Sequence, residues 1–220
     1  MSTNRVTLGY ATPRRERQPD HYVAKWCLSS GLNGQAQGCA RYNWRKPKLA
    51  LHSRFDYLSR PATTARVVNT ASEVHRGAQL DFDDLQSEHA YNSYEAYGRS
   101  KLANLLFTRE LARRFLGSGL TANSLHPGIV ASRLGQPRAG VGGDSSVVSF
   151  LASGGLSPEE GAETIVYLAS SPDAAQLTGE YFSQCRAIQP SKEAQDQVAG
   201  EKLWEESERL AGVEFRNGRG

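Results

Sequence analysis

The chain has 220 residues, a mass of 24.1 kDa, a mean hydropathy of −0.53 and a net charge of +3. No apolar run approaches the roughly 18 residues of a membrane-spanning helix, and the 3 cysteines are too few, and odd in number, for a disulfide-stapled secreted domain. The charge is unevenly divided: residues 1–60 hold eleven Lys/Arg against Glu16, Asp20 and Asp56, a balance of +8, while residues 61–220 hold fifteen against twenty, a balance of −5. A well-mixed globular surface rarely sorts its charge this way, so 1–60 and 61–220 are read as separate units.

Residues 1–60 carry little hydrophobic periodicity at 2 or 3.6, and apolar pieces such as 22–24 and 49–51 are too short to line a core. The run Arg14-Arg15-Glu16-Arg17-Gln18-Pro19 is solvated by its composition. No apolar h-region follows Arg5 and no amphipathic presequence helix is evident, so neither type of leader is expected and the location is expected to be cytoplasmic. Trp26, Tyr42 and Trp44 lie between the charges as in a nucleic-acid-binding arm. No nucleic-acid module accompanies them, so a solvated basic tail is the better description and no nucleic-acid partner is expected. Cys27 and Cys39, with His21 and His52, lack the close pairs of a structural zinc site; no metal is expected.

From Ala65 the pattern changes. Residues 65–71 form a short β-rich run ending at small polar residues, as a buried strand does. Residues 97–116 carry Leu102, Leu105, Leu106, Leu111 and Phe115 near helical spacing, with Arg113 and Arg114 in the last turn and Gly117 and Gly119 beyond it. A second strand is predicted at 120–125, ended by Pro127-Gly128. Ser157 as cap, Pro158 at the first helical position and Glu160 completing a capping box predict a helix running to Pro172. A third strand follows at 181–182, and a closing helix from Ser191 with Val198, Leu203, Trp204 and Leu210. Strands alternating with helices across tight turns predict a parallel α/β sheet covered on both faces.

Three points in this order carry chemistry. Tyr97 and Lys101 stand four apart, one turn from each other on one helix face. An ammonium beside a phenol favours phenolate, so such a tyrosine can act as general acid or base on an alcohol or carbonyl. The spacing alone is cheap, since Tyr42 and Lys46 repeat it in the basic segment. What distinguishes Tyr97 is a well-patterned helix behind a strand. Ser72 follows the first strand, where its hydroxyl would face the ligand crevice of an α/β sheet; the same serine would equally cap a turn. His126-Pro127-Gly128-Ile129 is a turn at the edge of the next strand, either an ordinary strand end or exposed backbone beside a flat ligand.

Together, residues 66–72, 96–114 (AYGRSKLANLLFTRELARR), 120–130 (LTANSLHPGIV), 177–182 and 203–210 resemble the short-chain dehydrogenase/reductase family, in its retinol-dehydrogenase and WW-domain-oxidoreductase-like branch. The resemblance covers about residues 65–212. It implies a Rossmann-like fold, with Tyr97 as catalytic acid/base, Ser72 holding the substrate oxygen, and Lys101 tuning Tyr97 and binding the nicotinamide ribose. Pro127, Gly128 and Ile129 would pass beside the nicotinamide, Ser132 would contact its carboxamide arm, and 133–156 would be the mobile substrate loop. The implied cofactor is NAD or NADP, the branch leaning to NADP. The implied substrate is an apolar alcohol or carbonyl, and family members of this kind often form homodimers through the helix of Tyr97.

The sequence departs from the family where the family binds pyrophosphate. Gly31, Gly34 and Gly38 have neither the TGxxxGxG spacing nor a preceding apolar strand, and Gly140, Gly142 and Gly143 lie on the wrong side of the catalytic residues. The Asn-Asn-Ala-Gly segment is also absent. The expected fold is therefore incomplete on its N-terminal side, with 1–60 outside the family pattern. Two functions follow: an NAD(P)-dependent oxidoreductase, or a family member altered by splicing or reading frame that has no activity of its own and serves as a fragment or interaction protein.

Overall fold

Strand β2 (Ala65–Thr70) pairs in parallel with β3 (Leu120–His126) over six positions, from Ala65 opposite Leu120 to Thr70 opposite Leu125. In this computed structural model the residues described are 23–24, 65–89, 91–130 and 154–212. The remaining elements are β1 (Val23–Ala24), α1 (Ser93–Arg114), α2 (Pro158–Ser170), β4 (Tyr181–Ser183), β5 (Arg186–Ile188) and α3 (Gln197–Ala211). They form one sheet in the order β1-β2-β3-β4-β5, with β1 to β4 parallel and β5 antiparallel to β4.

Alternation along each strand sends side chains to two cores. Ala65, Val67, Leu120, Ala122 and Tyr181 pack with Leu102, Leu105, Leu106 and Leu111 of α1 and with Leu203 and Trp204 of α3. Val68, Leu125 and Phe182 point the other way, onto Leu168 of α2 and Ala174. The sheet is thus covered on both faces, as the strand–helix alternation predicts. Arg66 is nearly buried on the α2 face. Its guanidinium donates to the carbonyls of Leu168 (3.2 Å) and Ser171 (2.8 Å), placing a cation on the C-terminal end of that helix. Burial lowers its pKa, but the two carbonyls satisfy the charged form.

The capping box at Ser157 and Glu160 is present with Pro158 in the first turn. Helix α1 begins a turn earlier than 97, because the Asn92 side chain accepts from the Tyr94 and Glu95 N–H groups (3.0 and 3.1 Å). The closing helix begins at Gln197 rather than Ser191, after a 3₁₀ turn at Glu193–Gln195. Strand β5 makes the sheet mixed rather than wholly parallel. Its hairpin turn, Gln184-Cys185, has φ of 49° and 59°, a conformation that Asn-Gly normally signals, so these residue types carry no hairpin cue. Within 1–60, Val23 and Ala24 pair with Arg66 and Val67. The other residues of that segment, including Cys27, Cys39, Tyr42 and Lys46, lie outside the described residues, as do Ser132 and 133–153.

Helices α1 and α3 are joined by charge. Glu110, 3% exposed, accepts two hydrogen bonds from Arg113 (both 2.8 Å) and one from Arg114. Arg113 also reaches Glu201 of α3 at 3.2 Å, and the Arg114 guanidinium lies 4.8 Å from the Trp204 ring, which stacks on Phe107. Burial by itself would raise the Glu110 pKa, but hydrogen bonds from the two arginines outweigh it and hold the carboxyl below its usual range. A carboxyl depressed in the folded state contributes stability above the unfolded value of about 4.3 and loses it as pH falls through the folded value. Replacing Glu110 by Gln is expected to cost about 1–3 kcal/mol in urea unfolding at pH 7 and to flatten the stability–pH curve below about pH 4.3. An unchanged acid limb in the variant would contradict this.

Candidate functional site

The carboxyl ends of β2 and β3 emerge side by side, and the residues singled out by sequence gather around them. Beyond Thr70, Ala71 donates its N–H to the Leu125 carbonyl at 2.7 Å, so the paired strands stay together up to Ser72. Ser72 has extended backbone (φ −163°, ψ 156°) and caps the 3₁₀ turn Glu73–His75, its hydroxyl oxygen accepting from the Val74 N–H at 3.5 Å. The turn-capping role is therefore real. Because the oxygen accepts there, the hydroxyl hydrogen is left for a second oxygen, so capping does not exclude ligand contact.

Tyr97 and Lys101 lie on successive turns of α1. Lys101 is 7% exposed; its ammonium sits 5.4 Å from the Tyr97 ring centroid and donates to the Thr70 carbonyl at 3.3 Å. Asn104 donates to the same carbonyl at 3.1 Å. Lys101 therefore links the tyrosine to the strand end that leads into Ser72. Gly98 makes the approach close: a Cβ there would lie 3.1 Å from the Val74 carbonyl oxygen and 3.4 Å from the Ala78 Cβ. Ser100 donates to the Tyr97 carbonyl at 2.7 Å.

After β3, Pro127 and Gly128 are half-buried and Ile129 is 49% exposed. Gly128 has φ +84°, a conformation that favours glycine, and a Cβ would lie 2.5 Å from Leu156 Cδ1, so any side chain there would also displace Leu156. The Leu156 N–H donates to the Ile129 carbonyl at 2.7 Å, and Val130 bridges Leu156 in parallel. The chain on either side of 131–155 thus meets directly beside Pro127–Gly128–Ile129. Ser72, Tyr97, Lys101, Pro127, Gly128 and Ile129 are brought to one edge; Ser132 is outside the described residues.

A polar cluster that sequence reading missed lies beneath Ser72. Glu73 accepts from the Tyr181 hydroxyl (2.8 Å) and from Arg76 (2.6 Å), while Arg76 also donates to the Gln189 carbonyl (2.8 Å). Burial works to raise the Glu73 pKa, but hydrogen bonds from Arg76 and Tyr181 bring it below the usual range. The Tyr181 phenol is pushed far up, first by burial and then by Glu73. His75, fully buried, and half-buried His126 both have lowered pKa values, with burial as the leading cause. His126 Nδ1 has no hydrogen-bond partner among the described residues. The one local hint was a run of polar residues directly after a buried strand; the partners lie more than 100 positions away. No cluster of three or more His, Cys, Asp or Glu suited to a metal occurs among the described residues.

A family model described as enoyl-(acyl carrier protein) reductase matches residues 58–184. Curated relatives include human retinol dehydrogenase 14 (41% identical over 160 residues, 71% of this chain and 47% of the relative) and human retinol dehydrogenase 13 (40% over 157 residues, 68% and 46%). Mouse retinol dehydrogenase 12 is 40% identical over 156 residues, covering 69% and 47%. The chain spans about half the length of the curated relatives it matches. Among solved structures, a crystal structure of an uncharacterized protein from Mycobacterium paratuberculosis is similar with a TM-score of 0.52 and 28% identity, covering 71% of this chain and 53% of that one. With its paired parallel strands, helices on both faces and a Tyr–Lys turn against the strand end, the chain belongs to the short-chain dehydrogenase/reductase family, in its retinol dehydrogenase-like branch.

Proposed function

We propose that this chain carries the substrate side of an oxidoreductase that moves a hydride between a nicotinamide, NAD or NADP, and a small apolar alcohol or carbonyl compound. The observation that carries this reading is the Lys101 ammonium, held between the Tyr97 ring and the Thr70 carbonyl. It is buried, so its field acts on the neighbouring phenol with little screening by water. In alcohol oxidation Tyr97 takes the hydroxyl proton on its phenolate oxygen while the Ser72 O–H steadies the substrate oxygen. In carbonyl reduction the same proton returns from Tyr97 Oη to the nascent alkoxide.

The residues present suit one end of the cofactor. Gly128, whose positive φ turns the backbone at the strand end, and the half-open Pro127–Ile129 edge suit a flat ring, and Lys101 suits a ribose hydroxyl. A nicotinamide bound along that edge would supply or accept the hydride. Ser132 is the family-based candidate for its carboxamide. No glycine-rich TGxxxGxG turn for a pyrophosphate occurs in the 220 residues. The names of the retinol dehydrogenase relatives support a retinol-like substrate class. The missing glycine-rich turn favours a second reading, a family member without turnover of its own.

Titration of the purified chain with NADPH or NADH, followed by quenching of the fluorescence of its three tryptophans, separates the two readings. Saturable quenching is expected, weakened toward millimolar cofactor by the absence of the pyrophosphate turn; no signal at millimolar cofactor overturns the oxidoreductase reading. Tyr97→Phe is expected to lower turnover by at least about a hundredfold while cofactor affinity holds, and retained turnover would refute its assigned role. Gly98→Val, which crowds the Val74 carbonyl and displaces α1 from the Ser72 turn, is expected to lower kcat roughly ten- to hundredfold in a protein that still unfolds cooperatively.

A further inference from the structure

Resting on the assignment of Ser72 as the group that holds the substrate oxygen, we propose that His75 is its positioning residue, clamping the Ser72 main chain to the segment that leads into α3. His75 is fully buried, and each ring nitrogen has one partner: Nδ1 lies 2.6 Å from the Ser72 carbonyl oxygen, and Nε2 receives the Ser191 N–H at 3.2 Å. A backbone N–H can only donate, so Nε2 holds the lone pair. The ring proton therefore sits on Nδ1 and is donated to the Ser72 carbonyl. The neighbours fix both the neutral state and the tautomer.

The clamp has further attachments. The His75 ring meets the Tyr181 ring edge-on, with centroids 5.2 Å apart and planes at 80°. From the same turn Glu73 binds Tyr181 of β4, and Arg76 binds the Gln189 carbonyl. Contacts from Glu73, His75 and Arg76 thus tie the turn after Ser72 to β4 and to Gln189 and Ser191, while Gly98 of α1 approaches the Val74 carbonyl of the same turn. The Ser72 carbonyl, which also accepts the His75 main-chain N–H at 3.2 Å, cannot rotate without breaking the Nδ1–H bond, and the Ser72 backbone from which the hydroxyl projects is held with it.

The ionisable and charged groups around the ring are Glu73 and Arg76 in its own turn, Tyr181 on β4, His126 at the end of β3 and Glu193 in the 3₁₀ turn before α3. Burial dominates and keeps His75 neutral below its usual range. Acid adds a proton to Nε2, which then faces the Ser191 N–H donor to donor. The Ser191 arm of the clamp is intact above the ordinary histidine value of about 6.5 and is lost as pH falls through the lower folded value, while the Nδ1–H bond to Ser72 survives protonation.

Long-range proton–nitrogen NMR of the imidazoles at neutral pH tests this without requiring turnover. His75 is expected to appear as the neutral Nδ1–H tautomer; an Nε2–H or doubly protonated ring overturns the proposal. His75→Phe, which keeps a ring but no hydrogen bonds, is expected to speed exchange of the Val74 amide about tenfold, the scale of one lost buried hydrogen bond. His75→Asn, which keeps a donor toward Ser72, is expected to restore most of the protection; equal loss in both variants overturns the Nδ1 contact. Where the wild-type chain turns over substrate, His75→Phe lowers kcat roughly ten- to hundredfold at constant cofactor Kd, and does so only while Ser72 is present. The same loss on top of Ser72→Ala means His75 acts elsewhere and refutes the positioning role. A wild-type chain without turnover fails the oxidoreductase reading alone, and the tautomer and exchange results still decide the clamp. Should His75→Phe not fold, the wild-type spectrum and His75→Asn decide it.

Discussion

The carbonyl oxygen of Thr70 is where strand, helix and candidate site are fastened together. Two side chains of α1 donate to it, Lys101 at 3.3 Å and Asn104 at 3.1 Å. An ammonium buried this deeply must have hydrogen-bonding partners or lose its charge. Thr70 is the last residue of a strand paired in register with β3, so it cannot move independently of the sheet. The Tyr97–Lys101 geometry is thereby referred to the sheet rather than to a surface helix free to shift, which is the preorganisation that the proposed acid–base role of Tyr97 needs.

The same economy governs the rest of the polar interior. Asn69 donates to Thr108 at 2.7 Å and Thr108 donates to the Asn104 carbonyl at 2.6 Å, which extends the β2–α1 attachment by another turn. Across β3, Asn123 donates to the Leu177 carbonyl and accepts from the Glu180 N–H, fixing the approach to β4. Arg66 does the corresponding task for α2 on the other face. Apart from the bond Thr108 makes within α1, each of these buried groups places its hydrogen bonds on main chain or side chain of a different element. They set where elements end relative to one another, while the apolar clusters set how tightly they pack.

What could be read in the sequence was what is local in it. The Ser157–Glu160 capping box, the i to i+4 relation of Tyr97 and Lys101, and the alternation of strand with helix all depend on near neighbours, and all are present. Gly98 could not be recognised as a close-approach position, because the Val74 carbonyl that demands it belongs to another element. Strand β5 escaped because Gln184-Cys185 takes a conformation its residue types do not advertise. The Glu73–Tyr181 and His75–Ser191 pairs span 108 and 116 positions, beyond any spacing rule. The candidate catalytic residues were therefore legible, and what holds them in place was not.

The uneven charge bears on how the site depends on the rest of the chain. The hydrogen bonds that fix Ser72, Tyr97 and Lys101 join residues between 70 and 191, in the acidic portion. The basic segment touches this framework, among the described residues, through Val23 and Ala24, opposite Arg66 and Val67 in the amino-terminal half of β2. The candidate site stands at the other end of that strand, held from the far side by β3, α1 and the segment before α3. The pairing of Val23 and Ala24 with β2 is therefore not among the contacts that set the geometry of these residues. On the proposed reading, substrate-side chemistry and pyrophosphate binding are separable structural problems: the groups proposed for the first lie within 65–212, and no TGxxxGxG turn for the second occurs in these 220 residues.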